Sequence, residues 1–567
     1  MVTQHFAFWP KRVPHSLTIP ETTLCYNLEV SATRYPNKTA IVYYGRAITY
    51  RELASQVNRL AGYLQRSGVN RGDRVLLLMQ NCPQFIIGFY AILRANAVVV
   101  PMNSMLVTNE LRYYAQDSQA ELVLVGQDLY PQMAPLLHEG TVRRAVVAAY
   151  SDYAGEQPGV AVPEVVAVAR EATAEPGVTL WMDALAAGDE PGPLLVGPDD
   201  LAVLPYTSGT TGRPKGCMHS HRTVMANVAG GVTWSQASSE SVVLAALPLF
   251  HVTGMQGSMN APIYRGGCVV LMTRWNRDTA AELIQRERVT GWGNISTMMI
   301  DFLANPRIGE YDLSSLEGIG GGGAPLPAAV GERLLAMTGL QYVEGYGLSE
   351  TMAQTHANPS DRAKMQCLGI PVFDLDARVV DPATLEELGP NVDGEILVSG
   401  PQVFLGYWNK PEETAQAFVE LDGKRFLRTG DLGHYDEEGY FFHTDRIKRM
   451  INASGFKVWP AEVESLLYRH PAVQEACVIA SPDERRGETV KALVVLRESH
   501  RGTTTPEEII AWAHGEMAAY KCPRSVEMVD SLPKSASGKV LWRVLQEQER
   551  ARVARAAGVQ AQSGGGA

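Results

Sequence analysis

The sequence has few cysteines, no long uninterrupted apolar run and no excess of positive charge. The seven cysteines among 567 residues are odd in number, and no two are spaced as C-x-x-C. This argues against a disulfide framework or a cysteine-based zinc site and favours a reducing compartment. The net charge of −11 lacks the basic character of nucleic-acid-binding proteins, so we expect no nucleic-acid partner.

Membrane insertion is also disfavoured. The most apolar early stretch, residues 85–102, is interrupted by Arg94 and Asn96, which predicts a buried helix followed by a strand. Residues 1–16 lack the long apolar core of a signal peptide. We therefore expect a cytoplasmic enzyme without stable membrane insertion.

Short β-rich runs alternate with helical runs over residues 40–150 and again from residue 201 to 343. This alternation predicts an α/β fold with two sheet subdomains in a large N-terminal domain. Short strands and turns over 370–445 predict a small β-rich subdomain. The alternation resumes in a smaller α+β unit, where Thr505 to Glu508 form a capping box. We expect domains at 1–445 and 446–567, a hinge near 445–449 and a disordered tail over 558–567.

The strongest motif is residues 206–216, YTSGTTGRPKG, between a strand candidate and a helical stretch. Glycines allow the backbone N–H groups to turn towards an anion, and Lys215 adds a positive charge. Only two residues separate Gly209 from Gly212, so this is not the Walker pattern. A polar surface loop is the alternative, but the composition favours a phosphate site. The predicted phosphate donors are Thr207, Ser208, Gly209, Thr210, Thr211, Gly212 and Lys215.

Further motifs follow this loop in order along the chain. They are residues 247–251 (LPLFH), 320–325 (GGGGAP), 345–351 (GYGLSET), 428–433 (RTGDLG), 445–448 (DRIK), 454–458 (SGFKV) and 533–539 (PKSASGK). In this order the set resembles the adenylate-forming superfamily: acyl-CoA synthetases, peptide-synthetase adenylation domains and beetle luciferases. The resemblance covers about residues 30–545. It implies an AMP-forming acid–CoA ligase with a small, mobile C-terminal domain and an active site between the domains.

The resemblance also implies roles in binding ATP and Mg²⁺. Glu350 would bind Mg²⁺, because a carboxylate suits a hard cation that also bridges phosphates. Thr351 would donate to the α-phosphate. Asp431 would accept from the ribose hydroxyls, with Arg446 close to the same sugar, although an aspartate in such a turn is by itself more often a turn former. The positions implied around the adenine are Gly322, Gly323, Ala324, Gly345, Tyr346 and Gly347.

Three positions in the C-terminal part relate to catalysis and motion. The resemblance places Lys539 between the carboxylate and the α-phosphate during adenylation, where negative charge accumulates. Lys448 would be the hinge, and Gly455 would approach the pantetheine arm of coenzyme A after the C-terminal domain rotates. An exposed tail lysine is the alternative for Lys539, and Lys534 is the expected bystander.

The acid is less clearly specified. His251 is either a satisfied core histidine or a residue near the substrate carboxylate. The pocket candidates are small, apolar or flexible, which favours a medium- or long-chain fatty acid; aryl acids of the benzoate or cinnamate type are the alternative. A luciferase-like enzyme or a stand-alone adenylation protein remains a further alternative, and a homodimer stays open. The candidates are His251, Val252, Met255, Asn294, Ser296, Thr297, Met298, Gly320, Gly321 and Leu348.

Overall fold

The computed structural model describes residues 3–188, 190–207, 213–446, 449–453, 456–483, 487–535 and 539–563. Contacts divide the chain into two compact units. The first comprises Met1–Ala377, Leu397–Arg428 and Glu437–Phe441, and the second Arg378–Ile396, Thr429–Asp436 and Phe442–Ala567. The predicted domain boundary at residues 445–446 stays a prediction.

The strands are numbered in chain order. They are β1 (Thr39–Tyr43), β2 (Arg46–Thr49), β3 (Arg74–Leu78), β4 (Val98–Pro101), β5 (Leu122–Gly126), β6 (Arg144–Ala148), β7 (Val178–Leu180), β8 (Leu201–Val203), β9 (Tyr206–Thr207), β10 (Lys215–Gly216), β11 (His219–Ser220), β12 (Val242–Ala245), β13 (Cys268–Leu271), β14 (Gly291–Asn294), β15 (Gly318–Gly322), β16 (Tyr342–Leu348), β17 (Ala353–Ala357), β18 (Ile370–Pro371), β19 (Asp376–Val380), β20 (Gly394–Ser399), β21 (Phe418–Leu421), β22 (Lys424–Tyr435), β23 (Phe441–Arg446), β24 (Ile451–Ala453), β25 (Phe456–Val458), β26 (Val473–Asp483), β27 (Gly487–Leu496) and β28 (Ser525–Met528).

The α-helices are numbered in the same way. They are α1 (Leu24–Arg34), α2 (Tyr50–Arg66), α3 (Pro83–Arg94), α4 (Thr108–Ser118), α5 (Tyr130–His138), α6 (Glu164–Ala167), α7 (Trp181–Ala186), α8 (His221–Ser235), α9 (Val252–Gly254), α10 (Ala261–Arg265), α11 (Arg277–Arg286), α12 (Ser296–Leu303), α13 (Ala328–Thr338), α14 (Pro411–Ala417), α15 (Pro460–Leu467), α16 (Pro506–Glu516) and α17 (Trp542–Ser563). A π-helical segment, Met255–Asn260, joins α9 to α10.

The largest sheet of the first unit has nine strands in the order β18-β17-β16-β15-β14-β12-β13-β1-β2. Its central strands are parallel, and antiparallel pairs close both edges. The side chains of Trp292, Ile319 and Tyr342 lie on the same face of this sheet, where they form a hydrophobic cluster with residues of α11, α12 and α13. The predicted adenine positions lie at the carboxyl end of β15 and on β16, as expected for a ligand site on an open α/β sheet.

A second sheet of this unit has the order β11-β8-β4-β3-β5-β6-β7. The apolar stretch at 85–102 forms α3 and β4, both buried, so the predicted helix and strand are confirmed. Helix α2 begins with a capping box, in which the Thr49 hydroxyl accepts from the Glu52 N–H. Among the described residues, no helix combines the length and the apolarity needed to cross a membrane.

The second unit contains a five-stranded sheet in the order β25-β24-β27-β26, with β28 parallel to β27. Its core joins Ile451, Val478 and Val494 of the strands to residues of α15 and α16. The predicted capping box is present at α16, where the Thr505 hydroxyl accepts from the Glu508 N–H at 3.3 Å. Strands β19 to β23 form a further sheet whose residues are divided between the units. The predicted α/β fold class is confirmed.

Candidate active site

The predicted phosphate loop has a β-ladder at its base. Strands β9 and β10 pair antiparallel, with Thr207 opposite Lys215 and Tyr206 opposite Gly216. The pairing brings the first hydroxyl of the motif beside its lysine, although eight positions separate them in sequence. The predicted donors between them, Ser208, Gly209, Thr210, Thr211 and Gly212, lie outside the described residues.

One tyrosine, Tyr407, connects Glu350 to this ladder. The Tyr407 hydroxyl donates to Glu350 Oε1 at 2.8 Å, and the Lys215 Nζ lies 5.0 Å from the centroid of the Tyr407 ring. Burial and the adjacent Glu350 carboxylate raise the pKa of Tyr407 well above its usual value, so the phenol is a neutral donor. Tyr407 therefore links the predicted metal ligand to the predicted phosphate lysine.

Glu350 and Thr351 belong to a single 3-10 turn, Ser349–Thr351. His219 fixes this turn, because its Nε2 bonds the Ser349 carbonyl oxygen at 2.8 Å. Burial lowers the pKa of His219 to about 4, so it acts as a neutral imidazole that donates from Nε2. Thr351 is fully buried; its hydroxyl accepts from the Leu348 N–H at 2.9 Å and donates to the Ala353 carbonyl at 2.8 Å. Donation to a phosphate would require that second bond to break.

The predicted adenine positions come together where Gly322, the last residue of β15, pairs with Gly345 in the middle of β16. Tyr346 follows, half-buried, with its ring centroid 5.7 Å from that of His356. A Cβ at Gly347 would lie 1.5 Å from the Ala353 carbonyl oxygen. The close pairing of β16 with β17 thus requires a glycine at position 347, and no ligand contact is needed to explain it.

The exposed turn that holds Gly323 and Ala324 is tied to the sheet by buried polar groups. Gly323 has a φ of +88°, in the left-handed region that glycine adopts readily. Ser296 donates to the Ala324 carbonyl at 2.8 Å, and Glu344 accepts from the Leu326 N–H at 2.6 Å. Burial raises the pKa of Glu344, against the effect of its backbone donors. The turn therefore has a defined position at the edge of the sheet.

Several predicted acyl-pocket residues pack against, or form hydrogen bonds with, other residues of the protein. Val252 and Met255 are buried in a hydrophobic core. Asn294 Oδ1 accepts from the buried Tyr342 hydroxyl at 3.0 Å, and a Cβ at Gly321 would lie 2.3 Å from that hydroxyl oxygen. His251 is half-buried at the start of α9, where its Nδ1 accepts from the Thr253 N–H at 3.4 Å. The pocket roles of these residues stay predictions.

The opposite face of β14 and β15 carries a row of glycines instead of side chains. Because side chains alternate between faces, Gly291 and Gly293 share this face with Gly318, Gly320 and Gly322. A Cβ at Gly291, Gly293 or Gly318 would meet no atom within 4 Å. Strands of a parallel sheet are normally covered by apolar side chains on both faces, so this face is open at these three positions. At Gly320 and Gly322, near the adenine positions, a Cβ would instead lie 2.4 and 2.5 Å from the carbonyl oxygens of Val343 and Gly345 on β16.

In the second unit, Asp431 and Arg446 form an ion pair, with Arg446 Nε 2.8 Å from Asp431 Oδ1. The Asp431 side chain is only 1% exposed. Lys539 is exposed as a whole residue, yet the protein around its ammonium group and the nearby Arg446 lower its pKa, while Asp431 opposes this shift. The structure therefore pairs Asp431 with Arg446, and the charges of both act on Lys539. Lys448 and Gly455 lie outside the described residues.

Comparison with known proteins identifies the family. The family model for AMP-binding enzymes matches residues 28–408, and the model for their C-terminal domain matches residues 462–539. The chain belongs to the AMP-binding enzyme family. This confirms the predicted superfamily and the predicted class of ATP-dependent, AMP-forming acid–thiol ligase.

Curated relatives of this AMP-binding enzyme are CoA ligases along nearly their whole length. The long-chain-fatty-acid–CoA ligase of Bacillus subtilis is 37% identical over 551 residues, which cover 96% of this chain and 97% of that protein. The feruloyl-CoA synthase of an Amycolatopsis species is also 37% identical, over 510 residues that cover 89% of this chain and 95% of that protein. Relatives thus divide between aliphatic and aryl acids.

Solved structures agree with this assignment. ATP-bound MatB from Rhodopseudomonas palustris has a TM-score of 0.82 at 30% identity, covering 93% of this chain and 99% of that one. The anthranilate CoA ligase AuaEII, solved with anthranoyl-AMP, has a TM-score of 0.83 at 27% identity, covering 95% and 99%. ATP, Mg²⁺ and coenzyme A are therefore the cofactor and co-substrates, as predicted.

The residues of this AMP-binding enzyme fit a magnesium ion carried by the nucleotide. In the described part of the chain, no group of three or more histidine, cysteine or acidic side chains could enclose a metal. Mg²⁺ commonly binds through one or two carboxylates together with substrate phosphates. Glu350 meets that description as a single carboxylate bound to the Tyr407 hydroxyl, with Lys215 beside the ring of the same tyrosine.

The motifs did not single out Tyr407, His219 or Glu344. Tyr407 follows a glycine in a short turn, and its partner Glu350 is 57 positions away in sequence. His219 reaches the Ser349 carbonyl across 130 positions. Glu344 carried the one readable signal, because an acidic residue stands within the otherwise apolar start of β16.

Proposed function

We propose that the enzyme activates an unbranched medium- or long-chain fatty acid as an acyl-adenylate and transfers the acyl group to coenzyme A. The observation that carries this substrate class is the glycine row on β14 and β15. From Gly318 to Gly322 it spans four residue steps, or ~13 Å of strand. A linear chain whose carboxylate lies at the nucleotide end could extend along this row, whose own residues carry no side chain.

In the first half-reaction, a carboxylate oxygen attacks the α-phosphorus of ATP and the bond to pyrophosphate breaks. Thr207 and Lys215 would hold the departing phosphates, and Lys539 would offset charge between the carboxylate and the α-phosphate. Glu350 would hold the magnesium ion, which when bound neutralises charge on the phosphates. Asp431 and Arg446 would orient the ribose, and Tyr346 would contact the adenine.

In the second half-reaction, the thiol of coenzyme A gives up its proton to solvent and its sulfur attacks the acyl carbonyl. The carbon–oxygen bond to the phosphate breaks, and AMP leaves with that electron pair. Pyrophosphate has already left at this stage, so the phosphate loop has no β- or γ-phosphate to hold, and the leaving group is AMP. We propose that the C-terminal domain turns about Lys448 between the steps and that Gly455 then lies near the pantetheine arm.

An aryl acid is the second candidate, because the feruloyl-CoA synthase has the same 37% identity to this chain as the fatty-acid ligase. A planar ring near Gly322 and Gly345 would need only the nucleotide end of the glycine row. The two candidates therefore differ in whether the far end, at Gly291 and Gly318, is used. A cytoplasmic location and a homodimer stay predictions.

Blocking the far end of the row separates the candidates. In Gly318→Val, activity with the longest accepted acids should fall at least ~10-fold, because the valine side chain occupies space that the end of a long chain would fill. Activity with short or aryl acids, which do not reach this position, should change little. Valine suits a strand, and a Cβ at this position meets no atom, so the fold should tolerate it. The measurement is CoA-dependent AMP formation with acids of increasing length and with benzoate and ferulate.

Gly515→Val is the matched control, because Gly515 also has open space around its Cβ but belongs to α16 of the second unit. It should leave the chain-length profile of the wild type unchanged. A wild type that accepts aryl acids alone, or a Gly318→Val profile that matches the wild type for every acid, would contradict the fatty-acid proposal.

A further inference from the structure

Asp117, near the end of α4, is a buried carboxylate beside the predicted phosphate loop. Its side chain is only 9% exposed. It accepts from the Tyr206 hydroxyl at 2.7 Å, and the Lys410 Nζ lies 3.4 Å away. Burial, and then the bond to Asp117, raise the pKa of Tyr206 far above its usual value, so Tyr206 remains a neutral donor. A carboxylate, with two acceptor oxygens, suits this position between two donors.

The same helix turn holds both strands of the ladder at the base of the loop. Tyr206 is the first residue of β9. Tyr113, one turn before Asp117, donates to the carbonyl of Pro214 at 2.7 Å, immediately before β10, and its hydroxyl is 3.5 Å from Asp117 Oδ1. Helix α4 therefore contacts the chain where it enters the loop and where it leaves.

A third segment meets Asp117 through its backbone. The Trp408 indole N–H donates to the Asp117 carbonyl at 3.0 Å, and the Trp408 backbone N–H donates to the Gly216 carbonyl at 2.8 Å. Tyr407, which bonds Glu350 and lies beside Lys215, is the preceding residue. The ladder and the segment that orients Glu350 are thus joined at one helix end.

We propose that Asp117 is a positioning residue for adenylation. Its carboxylate fixes Tyr206 and Lys410 together, and this holds the base of the phosphate loop and the Tyr407–Glu350 pair in one arrangement before ATP binds. Preorganised donors stabilise developing charge without having to reorganise during the reaction. The inference rests on the proposed phosphate role of the loop, and it concerns the first half-reaction alone, because the second has no β- or γ-phosphate.

The test replaces the carboxylate by an amide of the same shape. In Asp117→Asn, kcat/KM for ATP in acid-dependent pyrophosphate release should fall ~10–100-fold, the usual effect of losing a group that orients a direct ligand. KM for the acid should change little. Thioester formation from supplied acyl-adenylate and coenzyme A should stay within ~3-fold of the wild type, as for a change confined to one step. A purely structural role would damage both half-reactions.

Tyr206→Phe removes only the donor and serves as a second test should Asp117→Asn fold poorly. If the contact between Asp117 and Tyr206 is responsible, the variant that carries both substitutions should lose much less kcat/KM for ATP than the product of the two single losses. Gln116→Ala, an exposed neighbour on α4, should match the wild type.

Equal losses in both half-reactions, an unaffected kcat/KM for ATP, or full additivity of the two variants would overturn this role of Asp117. A wild-type enzyme that releases no pyrophosphate with any acid would instead overturn the proposed function itself.

Discussion

Replacing Lys539 by alanine is expected to slow acid-dependent pyrophosphate release by ~10²–10³-fold or more, the effect of removing a charge-stabilising donor. Thioester formation from supplied acyl-adenylate should be largely retained. The structure supports a charge role, because the ammonium group of Lys539 is under the electrostatic influence of Asp431 and Arg446, the predicted ribose residues. Single-turnover measurements of pyrophosphate release and of acyl-CoA formation from acyl-adenylate would separate the two steps.

Lys534 provides the matched control, since it belongs to the same motif but forms an ion pair with Glu475 at 2.7 Å. Lys534→Ala should keep both half-reactions near wild-type rates. The lowered pKa of Lys539 adds a pH test. Its positive charge is lost at a lower pH than that of an ordinary lysine, so adenylation should decline earlier as pH rises. Equal damage to both half-reactions in Lys539→Ala would refute the division of roles.

Glu350→Gln should reduce adenylation by ~10²–10³-fold and raise the Mg²⁺ concentration needed for half-maximal rate, because a neutral amide is a poor ligand for a hard cation. The substitution keeps a side-chain oxygen that can accept from Tyr407, so the 3-10 turn should remain in place. The measurements are the Mg²⁺ dependence of pyrophosphate release and the Mg²⁺ dependence of ATP binding by calorimetry.

Glu317→Gln is a suitable control because Glu317 is an exposed glutamate just before β15. It should leave both Mg²⁺ dependences unchanged. If Glu350→Gln bound Mg²⁺ and ATP as the wild type does and kept its rate, Glu350 would not be the metal ligand.

The fold and the nucleotide motifs could be predicted because local signals carry them. Strand and helix periods, the capping box at Thr505 and the apolar α3 each depend on neighbouring residues. The arrangement around the phosphate loop could not be predicted in this way. Asp117 meets Tyr206 across 89 positions and Trp408 across 291, and such contacts leave no periodic pattern in the sequence.

The acyl pocket could not be predicted from the sequence either, because the type of a residue does not indicate which face of the sheet its side chain occupies. Met255 is apolar and flexible, yet it is part of the core. Gly321 and Gly293 look alike in sequence, but they lie on opposite faces of the sheet, one against Tyr342 and the other over open space. Strand register decides between these outcomes, since a shift of one residue exchanges the faces.

The most direct test of the proposed chemistry is acid-dependent exchange of labelled pyrophosphate into ATP by the wild-type enzyme, with Mg²⁺ present and coenzyme A omitted. A carboxylate that attacks the α-phosphorus reversibly predicts exchange that requires an added acid and is strongest with linear medium- or long-chain acids. Absence of exchange with every acid in a panel of linear, aryl and dicarboxylic compounds would contradict the account.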